Sequence, residues 1–525
     1  MGKRGAKGCL VAASVWLIIL GVLAVAAKFF ILPYFQKDLE EKTSSARRYR
    51  HTITLAADSF SGYCFFRSPL VENQLKAEGI KLIIRDDKAD YKARMKALQS
   101  GSIQMAVFTI DSFITAGMEL GEFPGTIIMV IDETKGADAL VSYKTAVASL
   151  EDLNNPNARI VLTPRSPSEF LSRTVIAHFN LPNLPDRWWV EADGAADVYR
   201  KFKSGNRKDE LAYALWEPYV SRALEIPGSH VLLDSSKLKG YIVDVLVAER
   251  KFTRDHPDLV RAVMEAYLRA VYAYRQNPGG FEALVIDDAK LTGSETLSRE
   301  QAKKLVQGIE WKSTLENYSY FGLIPSRNGG GQHLEDIIAN ITDVLIKTGV
   351  LSPDSLAGMT HTLYYDHLLK EIKAGDFHPG KKISLIEGVG MKTGDLDPVR
   401  VAAQLRSLSE AEWESLSPVG RLRAKPISFA RGRARINIQS KRDLKELAHK
   451  LTSWPQYYLS VIGHARPEGD PIANRNLAEE RAIAAVDYLM EMGVVQSRIK
   501  AITGPPAGRG GLSQSVTFEL GQLPY

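Results

Sequence analysis

The sequence is poor in cysteine and in long apolar runs, and each scarcity excludes a class of protein. Only two of the 525 residues are cysteine, Cys9 and Cys64, so a disulfide scaffold and a structural zinc site built on thiolates are excluded. One stretch alone is apolar for long enough to span a bilayer, which excludes a polytopic transporter. Apolar residues make up 45% and charged residues 24%, ordinary values that also exclude collagen, a long coiled coil and wholesale disorder.

A large excess of charge of either sign is also missing. The chain has 67 basic and 61 acidic residues, a net charge of +6, which is small for this length. We find no dense stripe of lysine and arginine with interleaved aromatic residues, so a nucleic-acid partner is not expected. At ~100–200 residues per domain, the length predicts two or three domains.

The long apolar stretch lies at the N-terminus. Residues 8–27 carry no charge, and a helix of that length is about 30 Å long, the thickness of a bilayer's hydrocarbon core. Lys3, Arg4 and Lys7 precede it, which places the N-terminus in the cytoplasm and the rest of the chain across the membrane. The alternative is a cleavable signal peptide cut after the small residues 24–26, but the stretch is longer than such peptides need.

We therefore expect an uncleaved membrane anchor. The pattern predicts a cytoplasmic tail at 1–7, a transmembrane helix at 8–32 and a charged juxtamembrane segment at 33–50. The expected location is the bacterial inner membrane, crossed once, with the bulk of the chain in the periplasm.

From residue 51 onward, short apolar strands alternate with helical segments. Such alternation is typical of parallel sheets that are covered by helices on both faces. In these folds, ligands bind beyond the carboxyl ends of the strands. The strand candidates are 51–57, 80–84, 103–108, 127–131, 159–162 and 211–215, and a helix is predicted at 91–99.

The polar residues near the ends of these strands are the candidates for ligand binding. For each of them the alternative is a helix cap or a solvated loop end. Residues 166–169 illustrate both, because Ser-Pro-Ser-Glu is a capping box, whereas the free N–H groups at the same helix end suit an anion. The candidates are Ser59, Asp87, Thr109, Asp111, Asp138, Arg165, Ser166, Ser168, Trp216, Glu217 and Asp244.

Several motifs occur in a fixed order along this region: Lys-Ala-Leu-Gln-Ser-Gly at 96–101, Gly-Ala-Asp-Ala at 136–139, Ser-Leu-Glu-Asp-Leu at 149–153 and Tyr-Ala-Leu-Trp-Glu-Pro at 213–218. In these motifs and their order, residues 51–375 resemble the periplasmic solute-binding proteins that take up nitrate, alkyl sulfonates, taurine and pyrimidine precursors of thiamine. The resemblance implies a type II-like fold of two α/β lobes, hinged around a cleft that closes on a small solute. It also implies delivery to an ABC-transporter permease, or a sensory role.

Enzymatic chemistry is not expected. No nucleophile–base pair lies near any predicted turn, and the ten histidines show no metal-ligand spacing. We therefore expect binding without chemical conversion, with no catalytic residue, no metal and no cofactor.

The chemical nature of the solute stays open between two classes. A sulfonate or nitrate needs hydrogen-bond donors, which Arg165 and the following helix N-terminus would supply. Most other polar residues at the expected cleft edge are acidic, and carboxylates accept the N–H groups of amines and nitrogen heterocycles. The sequence therefore favours a nitrogen-bearing organic solute over an anion. The acidic residues are Asp58, Asp87, Asp132, Asp138, Glu217 and Asp244.

The last hundred residues form a separate pattern. After an irregular, charged linker at 376–423, strands at 457–462, 499–502 and 515–520 alternate with helices at 441–451 and 473–492. This order predicts a compact βαβαβ domain at 424–525, with Gly493 closing the longer helix as its left-handed cap.

This domain carries Gly463-His464, Gly469, Asn474, Leu477, Arg481-Ala482, Tyr488-Leu489 and Gly493-Val494. In these residues and their spacing it is similar to the OmpA-like peptidoglycan-binding domain. The resemblance implies recognition of meso-diaminopimelate in the stem peptide, whose carboxylate an arginine pairs with and whose ammonium an aspartate accepts.

The family's site residues map onto four positions of this chain. His464, Arg466, Asn474 and Arg481 are the peptidoglycan-binding candidates, and Arg481 matches the family's arginine. Arg466 stands where the aspartate is expected, and its charge would repel an ammonium group. The nearby acids at 468 and 470 are possible substitutes, so the sequence leaves wall binding open.

The combined expectation is a membrane-anchored periplasmic solute-binding protein of α/β class, associated with an ABC transporter or sensory, and tethered to the cell wall by its OmpA-like domain. The alternative is an envelope scaffold that binds no solute and uses both modules for protein or peptidoglycan contacts.

Overall fold

The computed structural model describes residues 49–293, 296–324, 332–356, 358–375, 377–381, 405–507 and 514–523. These residues form three α/β units: lobe 1 (49–134 and 243–381), lobe 2 (138–234) and a C-terminal domain (405–523). The strands are β1 His51–Ala56, β2 Ile80–Arg85, β3 Met105–Thr109, β4 Gly125–Thr134, β5 Asp138–Tyr143, β6 Arg159–Leu162, β7 Trp189–Glu191, β8 Leu211–Trp216, β9 Ser229–Asp234, β10 Val243–Glu249, β11 Ile309–Trp311, β12 Ser417–Arg421, β13 Ile427–Ser428, β14 Tyr458–Gly463, β15 Ile499–Thr503 and β16 Ser515–Gln522.

Helices cover the sheets of all three units. Those of lobe 1 are α1 Pro69–Ala77, α2 Tyr91–Gln99, α3 Ile110–Leu120, α7 Arg250–Asp255, α8 Pro257–Arg275, α9 Pro278–Leu291, α10 Arg299–Gly308, α11 Thr314–Tyr320, α12 Leu334–Lys347 and α13 His367–Ala374. Those of lobe 2 are α4 Pro167–His178, α5 Gly194–Ser204 and α6 Tyr219–Leu224. Those of the C-terminal domain are α14 Glu410–Glu414, α15 Ile438–Leu451 and α16 Pro471–Glu491.

Lobe 1 is built on a sheet of order β11-β4-β10-β3-β1-β2. Its inner strands β3 and β4 are buried at every residue, because helices cover both faces and leave no solvated side for polar residues. Strands β1, β2 and β3 are parallel, whereas β10 lies antiparallel between β3 and β4. The sheet is therefore mixed and not parallel throughout, since the chain re-enters lobe 1 from lobe 2 in the reverse direction.

Lobe 2 has a smaller sheet of order β7-β6-β8-β5-β9. Strands β6, β7 and β8 are parallel, and β5 runs antiparallel to both β8 and β9. Two chain crossings join the lobes, one between β4 and β5 and one between β9 and β10. Such a pair of crossings forms a hinge, so the residues beside it are positioned to face the space between the lobes.

The C-terminal domain has a sheet of order β12-β16-β14-β15 with β13 beside β16. Parallel β14 and β15 and the long α16 confirm the predicted α/β pattern. The domain also includes residues that the sequence places in the linker: β12 pairs with β16, and the Trp413 ring packs edge-on against Tyr458. The predicted start at residue 424 is therefore too late, because β12 completes the edge of the sheet.

The predicted transmembrane helix at 8–32 lies outside the described residues. Within the described ranges, no helix combines the length and the apolar character that a bilayer crossing requires. The longest ones, α8 and α16, each carry several charged residues. The fold class is therefore corrected to a two-lobed α/β domain followed by a small α/β domain, and a single-pass inner-membrane location is not supported.

The C-terminal domain docks on lobe 2 and on the hinge through a buried tryptophan. The indole Nε1 of Trp454 donates a hydrogen bond to Nδ1 of His178 at the end of α4, at 2.9 Å. The other ring nitrogen of His178 lies 3.1 Å from the hydroxyl of Tyr241, in the crossing between β9 and β10. A backbone bond from Lys239 to Ser453 adds a second contact to the same crossing. Lobe 2, the crossing between β9 and β10 and the C-terminal domain therefore meet at Trp454.

Candidate functional site

A pair of buried carboxyl groups lies where the sheet of lobe 1 enters the hinge. Asp244 on β10 is the direct cross-strand neighbour of Asp132 on β4. The hydroxyl of Tyr63 donates to Oδ1 of Asp244 at 2.5 Å. Burial raises the pKa of both carboxyls, and the charge of Asp132 raises the pKa of Asp244 further, whereas a hydrogen bond with Asp244 lowers the pKa of Asp132 in part. The pair therefore retains a proton near neutral pH.

We expect Asp132→Asn to raise the melting temperature at about pH 8 and to leave it unchanged at about pH 4. A carboxyl whose folded pKa is above its unfolded value costs stability as the pH rises toward the folded pKa, and an amide does not ionise. The expected gain at pH 8 is about 1–2 kcal/mol. Calorimetry at both pH values measures it, with Asp186→Asn, at an exposed position, as the control. A loss of stability at both pH values would contradict this account of the pair.

Arg94 is a buried positive charge of lobe 1 that bonds to two further acids. Its guanidinium is buried and donates to Oδ2 of Asp87 at 2.7 Å, to Oδ2 of Asp58 at 3.2 Å and to the carbonyl of Val107. Asp87, a predicted ligand-binding residue, is therefore held in an internal ion pair with Arg94.

A cavity between the lobes is about 400 Å³ in volume. On the side of lobe 1 it is lined by α3 and the start of α2, and on the side of lobe 2 by the loop from β6 to α4 and by α4 itself. Three predicted residues, Asp111, Arg165 and Ser166, line it together. The structure therefore brings one acid and one base from opposite lobes to the same space.

Asp111 is one of the acidic residues that line this cavity, together with Glu119, Glu169 and Glu191. It lies in the first turn of α3, is 7% exposed, and its Oδ1 is buried without a hydrogen-bond partner among the described residues. Burial raises its pKa to about 7, although the hydroxyl of Thr109 and the N–H groups of the helix terminus lower it in part. A buried carboxylate oxygen without a partner, in a residue that lines a cavity, is an acceptor for a ligand donor.

Arg165 is the base on the opposite wall. Its backbone φ is +57°, a conformation that is strained for a residue with a side chain. Its backbone N–H donates to Glu169, which also holds Arg173 at 2.6 Å. The guanidinium of Arg165 is exposed and forms no hydrogen bond with another described residue, so it is free for an anionic group.

Ser166 has the capping role that the sequence predicts. Its Oγ accepts from the backbone N–H of Glu169 at 3.2 Å and donates to the carbonyl of Thr163 at 2.7 Å. The Glu169 carboxylate accepts from the N–H of Arg165 and not from that of Ser166. The hydroxyl of Ser166 is therefore committed to the start of α4.

Aromatic rings complete the cavity. The pattern of polar residues near strand ends does not predict them. Tyr91 at the start of α2, Phe170 on α4 and Trp189 on β7 all line the space. Trp189 is partly buried, and its Nε1 donates to Glu191 at 3.3 Å. The doublet of Trp188 and Trp189 at the start of a short strand was the signal available in the sequence. Such rings can stack on a heterocycle or face a cation.

The other predicted ligand-binding residues lie outside the lining of this cavity. Several of them bond to neighbours: the Thr109 hydroxyl lies 2.8 Å from Ser112, the Ser168 hydroxyl donates to Asp138 at 3.1 Å, and Glu217 accepts from the hydroxyl of Ser221 at 2.8 Å. Their role in solute binding stays a prediction. This set comprises Ser59, Asp87, Thr109, Asp138, Ser168, Trp216, Glu217 and Asp244.

Asp138 and Glu217 lie at the hinge end of lobe 2, where β5 and β8 pair. Burial raises the pKa of Asp138 to about 7, partly offset by the hydrogen bond from Ser168. Burial also raises the pKa of Glu217, against the effect of its hydrogen bonds from Ser221. The interior of the hinge is therefore acidic on both lobes.

In the C-terminal domain, Arg481 on α16 is 1% exposed and bonds to backbone carbonyls. Its guanidinium donates to Arg433 at 3.1 Å, to His464 at 2.9 Å and to Ala430 at 3.4 Å. Neither of the nearby acids suggested by the sequence pairs with it, since Asp470 instead caps α16. Arg481 therefore fixes the loop at 430–433 in place.

Of the three other candidates of this domain, His464 contacts Arg481 through its carbonyl. The Nε2 of His464 lies 2.9 Å from the hydroxyl of Thr517, and Asn474 donates to the carbonyl of Glu468 at 2.9 Å. Arg466 is exposed, and its charge lowers the pKa of Arg481, after the larger effect of burial. Among the described residues no carboxylate bonds to Arg481, and the role of these four residues in peptidoglycan binding stays a prediction.

The architecture is that of two hinged α/β lobes around a cleft, followed by a separate α/β domain. Residues 75–280 match the family model described as NMT1/THI5 like, and residues 428–510 match that of the OmpA family. The predicted combination of these two kinds of domain in one chain is thereby confirmed. No curated protein matches the sequence.

Solved structures similar to this chain are also known. The periplasmic aliphatic sulphonate binding protein SsuA from Escherichia coli is 16% identical with a TM-score of 0.45, over 60% of this chain and 92% of that chain. The alkanesulfonate-binding protein SsuA from Xanthomonas axonopodis pv. citri bound to MOPS is 14% identical with a TM-score of 0.45, over 59% and 98%. The periplasmic nitrate-binding protein NrtA from Synechocystis PCC 6803 is 13% identical with a TM-score of 0.46, over 62% and 89%.

Proposed function

We propose that the two-lobed domain binds a small organic solute whose positively charged nitrogen pairs with Asp111. The carboxyl group of Asp111 carries this proposal, because Asp111 lines a cavity of about 400 Å³ between the lobes and its buried Oδ1 has no hydrogen-bond partner among the described residues. A charged nitrogen would satisfy this oxygen, whereas an anion placed there would add a second negative charge.

The remaining lining fits the rest of such a solute. Tyr91 and Trp189 offer flat apolar surfaces for a ring or an alkyl ammonium group. The unpaired Arg165 on the opposite wall suits an anionic or carbonyl group at the other end of the molecule. Because the two charges belong to different lobes, a solute that contacts both would favour the closed cleft.

The family resemblance supports a partner that is an ABC-transporter permease or part of a sensory system. We propose that the solute is presented to a partner of this kind in the periplasm, without chemical conversion. The C-terminal domain would keep the protein at the cell wall.

A thermal-shift screen tests the solute class. One panel holds primary amines, amidines and nitrogen heterocycles, and the other holds nitrate and alkyl sulfonates. A member of the first panel is expected to stabilise the protein by ~2.7 kcal/mol at a hundredfold excess over its dissociation constant. Stabilisation by nitrate or sulfonates alone would contradict the proposed class, and no stabilisation by either panel would favour the scaffold that binds no solute.

For the C-terminal domain we propose weak binding to peptidoglycan that improves when Arg466 is changed to Asp. The change removes a positive charge beside Arg481 and adds an acceptor for the diaminopimelate ammonium. The expected gain is about tenfold, because hydrogen bonds to charged groups contribute about 1.5–3 kcal/mol. Co-sedimentation of the full chain with purified peptidoglycan measures it.

Arg442→Asp is the matched control for this change, since Arg442 is exposed on α15 of the same domain. It has the same effect on net charge and adds no acceptor beside Arg481. Equal gains in both variants would show that net charge alone governs sedimentation. Tight binding by the unchanged protein, or no gain with Arg466→Asp, would show that Arg466 is not a lost acceptor.

A further inference from the structure

One segment of the C-terminal domain is basic without any acidic residue. Residues 421–442 contain eight lysines and arginines and no aspartate or glutamate. All eight basic side chains are exposed. Because a solvated face normally mixes both signs of charge, this segment produces a local positive field that the small net charge of the whole chain conceals.

The centre of this segment is a turn held rigidly by the domain. The backbone N–H of Arg433 bonds to the carbonyl of Ala430 at 3.1 Å, and Gly432 has a φ of +68°. Arg481 donates to both ends of this turn, and its guanidinium lies 5.5 Å from the centre of the buried Phe429 ring. The turn therefore presents its side chains from a fixed backbone.

Three arginines of this turn, Arg431, Arg433 and Arg435, are exposed and form no ion pair within the described part of the chain. Arg466 is on the same face, since Arg481 contacts the turn and is influenced by the charge of Arg466. Arg466 itself stands where the family resemblance expects an ammonium-binding aspartate, so this position and the turn together carry four exposed arginines.

The guanidinium groups of these side chains favour a ligand that carries phosphate groups. A guanidinium presents parallel N–H donors that match the oxygens of a phosphate group, and clustered guanidinium groups favour a surface with many phosphates over a single anion. A single-stranded nucleic acid would also need exposed aromatic rings for its bases, and the only aromatic residue of the segment, Phe429, is buried.

One apolar residue distinguishes a bilayer from other phosphate-rich partners. Ile438, at the first residue of α15 between Arg435 and Lys441, is 75% exposed. An exposed isoleucine among cations suits the boundary between lipid headgroups and acyl chains. We propose that this face, centred on residues 431–438 and Arg466, docks reversibly on a bilayer surface that carries anionic phospholipids.

Vesicle co-sedimentation of the full chain tests this docking. Vesicles of phosphatidylcholine with about 30% phosphatidylglycerol are compared with pure phosphatidylcholine, at low and at high salt. We expect at least tenfold stronger binding to the anionic vesicles, lost at about 300 mM salt. The triple change Arg431→Gln, Arg433→Gln and Arg435→Gln is expected to lower the affinity for anionic vesicles about tenfold.

A matched triple change on lobe 1, Lys81→Gln, Arg85→Gln and Lys88→Gln, removes the same charge from other exposed positions and is expected to leave vesicle binding unchanged. Ile438→Ser is expected to weaken binding to vesicles and not to soluble polyphosphate. Equal binding to both vesicle types, or equal losses with the two triple changes, would overturn the proposal. Competition by duplex DNA together with full vesicle binding by Ile438→Ser would assign the face to nucleic acid instead.

Discussion

Lowering the pH from about 7 to about 4.5 is expected to release the C-terminal domain from lobe 2, because His178 must be neutral in the docked state. Burial, together with the nearby charges of Lys347 and Lys450, lowers its pKa from 6.5 to about 3. Its Nδ1 accepts a hydrogen bond from Trp454, which a protonated ring cannot do.

The direction of the pH effect follows from this shift. A histidine whose pKa is lower in the docked than in the free state stabilises docking fully above pH 6.5 and loses this contribution as the pH falls toward 3. At about pH 4.5 the loss is on the order of 2–3 kcal/mol, at about 1.4 kcal/mol per pH unit. Lys347, Arg423 and Lys450 line the small cavity beside the ring, and no acidic group raises its pKa.

Calorimetry and small-angle X-ray scattering measure this release. At neutral pH we expect the lobes and the C-terminal domain to unfold together, and in acid we expect separate transitions and a larger radius of gyration. His178→Gln should lose the difference between the two pH values, because its neutral amide can accept from Trp454 at either pH. His361→Gln, at an exposed position, is the control. The same acid response in His178→Gln would assign the release to other groups.

Asp111→Asn is expected to lower the affinity for a nitrogen-bearing solute found in the screen by about 10- to 100-fold, because a buried hydrogen bond between charged groups contributes about 1.5–3 kcal/mol. Since burial raises the pKa of Asp111 to about 7, the affinity of the unchanged protein should also fall about tenfold for each pH unit below 7. The variant should show no such dependence.

Isothermal titration calorimetry between about pH 5 and pH 8 measures both effects. Asp138→Asn is the comparison variant, since Asp138, also a predicted ligand-binding residue, has a pKa raised to about 7 but does not line the cavity. Equal losses in both variants would show that the general acidity of the hinge, and not the oxygen of Asp111, holds the solute. An unchanged affinity in Asp111→Asn would remove Asp111 from the site.

Much of the regular structure could be predicted from local patterns. The helix at 91–99 and the strand at 159–162 have the predicted bounds, and the strand predicted at 80–84 ends one residue later. These segments have clear periodicity and marked ends, such as the Asp90 side chain that accepts from the N–H of Ala93. Local sequence is sufficient there because capping and burial agree.

The sequence pattern does not predict strands β5, β9 and β10. The acidic site residues in these strands are therefore predicted in the wrong kind of segment. The sequence pattern predicts a loop at Asp138, but this residue begins β5. Asp244 lies inside β10. Both are buried acids in strands whose pairing partners are distant in sequence. A single-sequence pattern gives polar residues to loops, and only the hinge explains why these acids are tolerated inside a sheet.

The sequence by itself determined the kinds of domain in this protein, their order, and an excess of acids near the cleft. Those properties reside in residue types and in spacings along the chain. Tertiary structure decided which acid faces the cavity, because Asp87 is taken by Arg94 while Asp111 keeps a free oxygen. It also decided that Arg481 binds carbonyls and that Trp454 meets the hinge. Partners of this kind come from distant parts of the chain, so no local pattern encodes them.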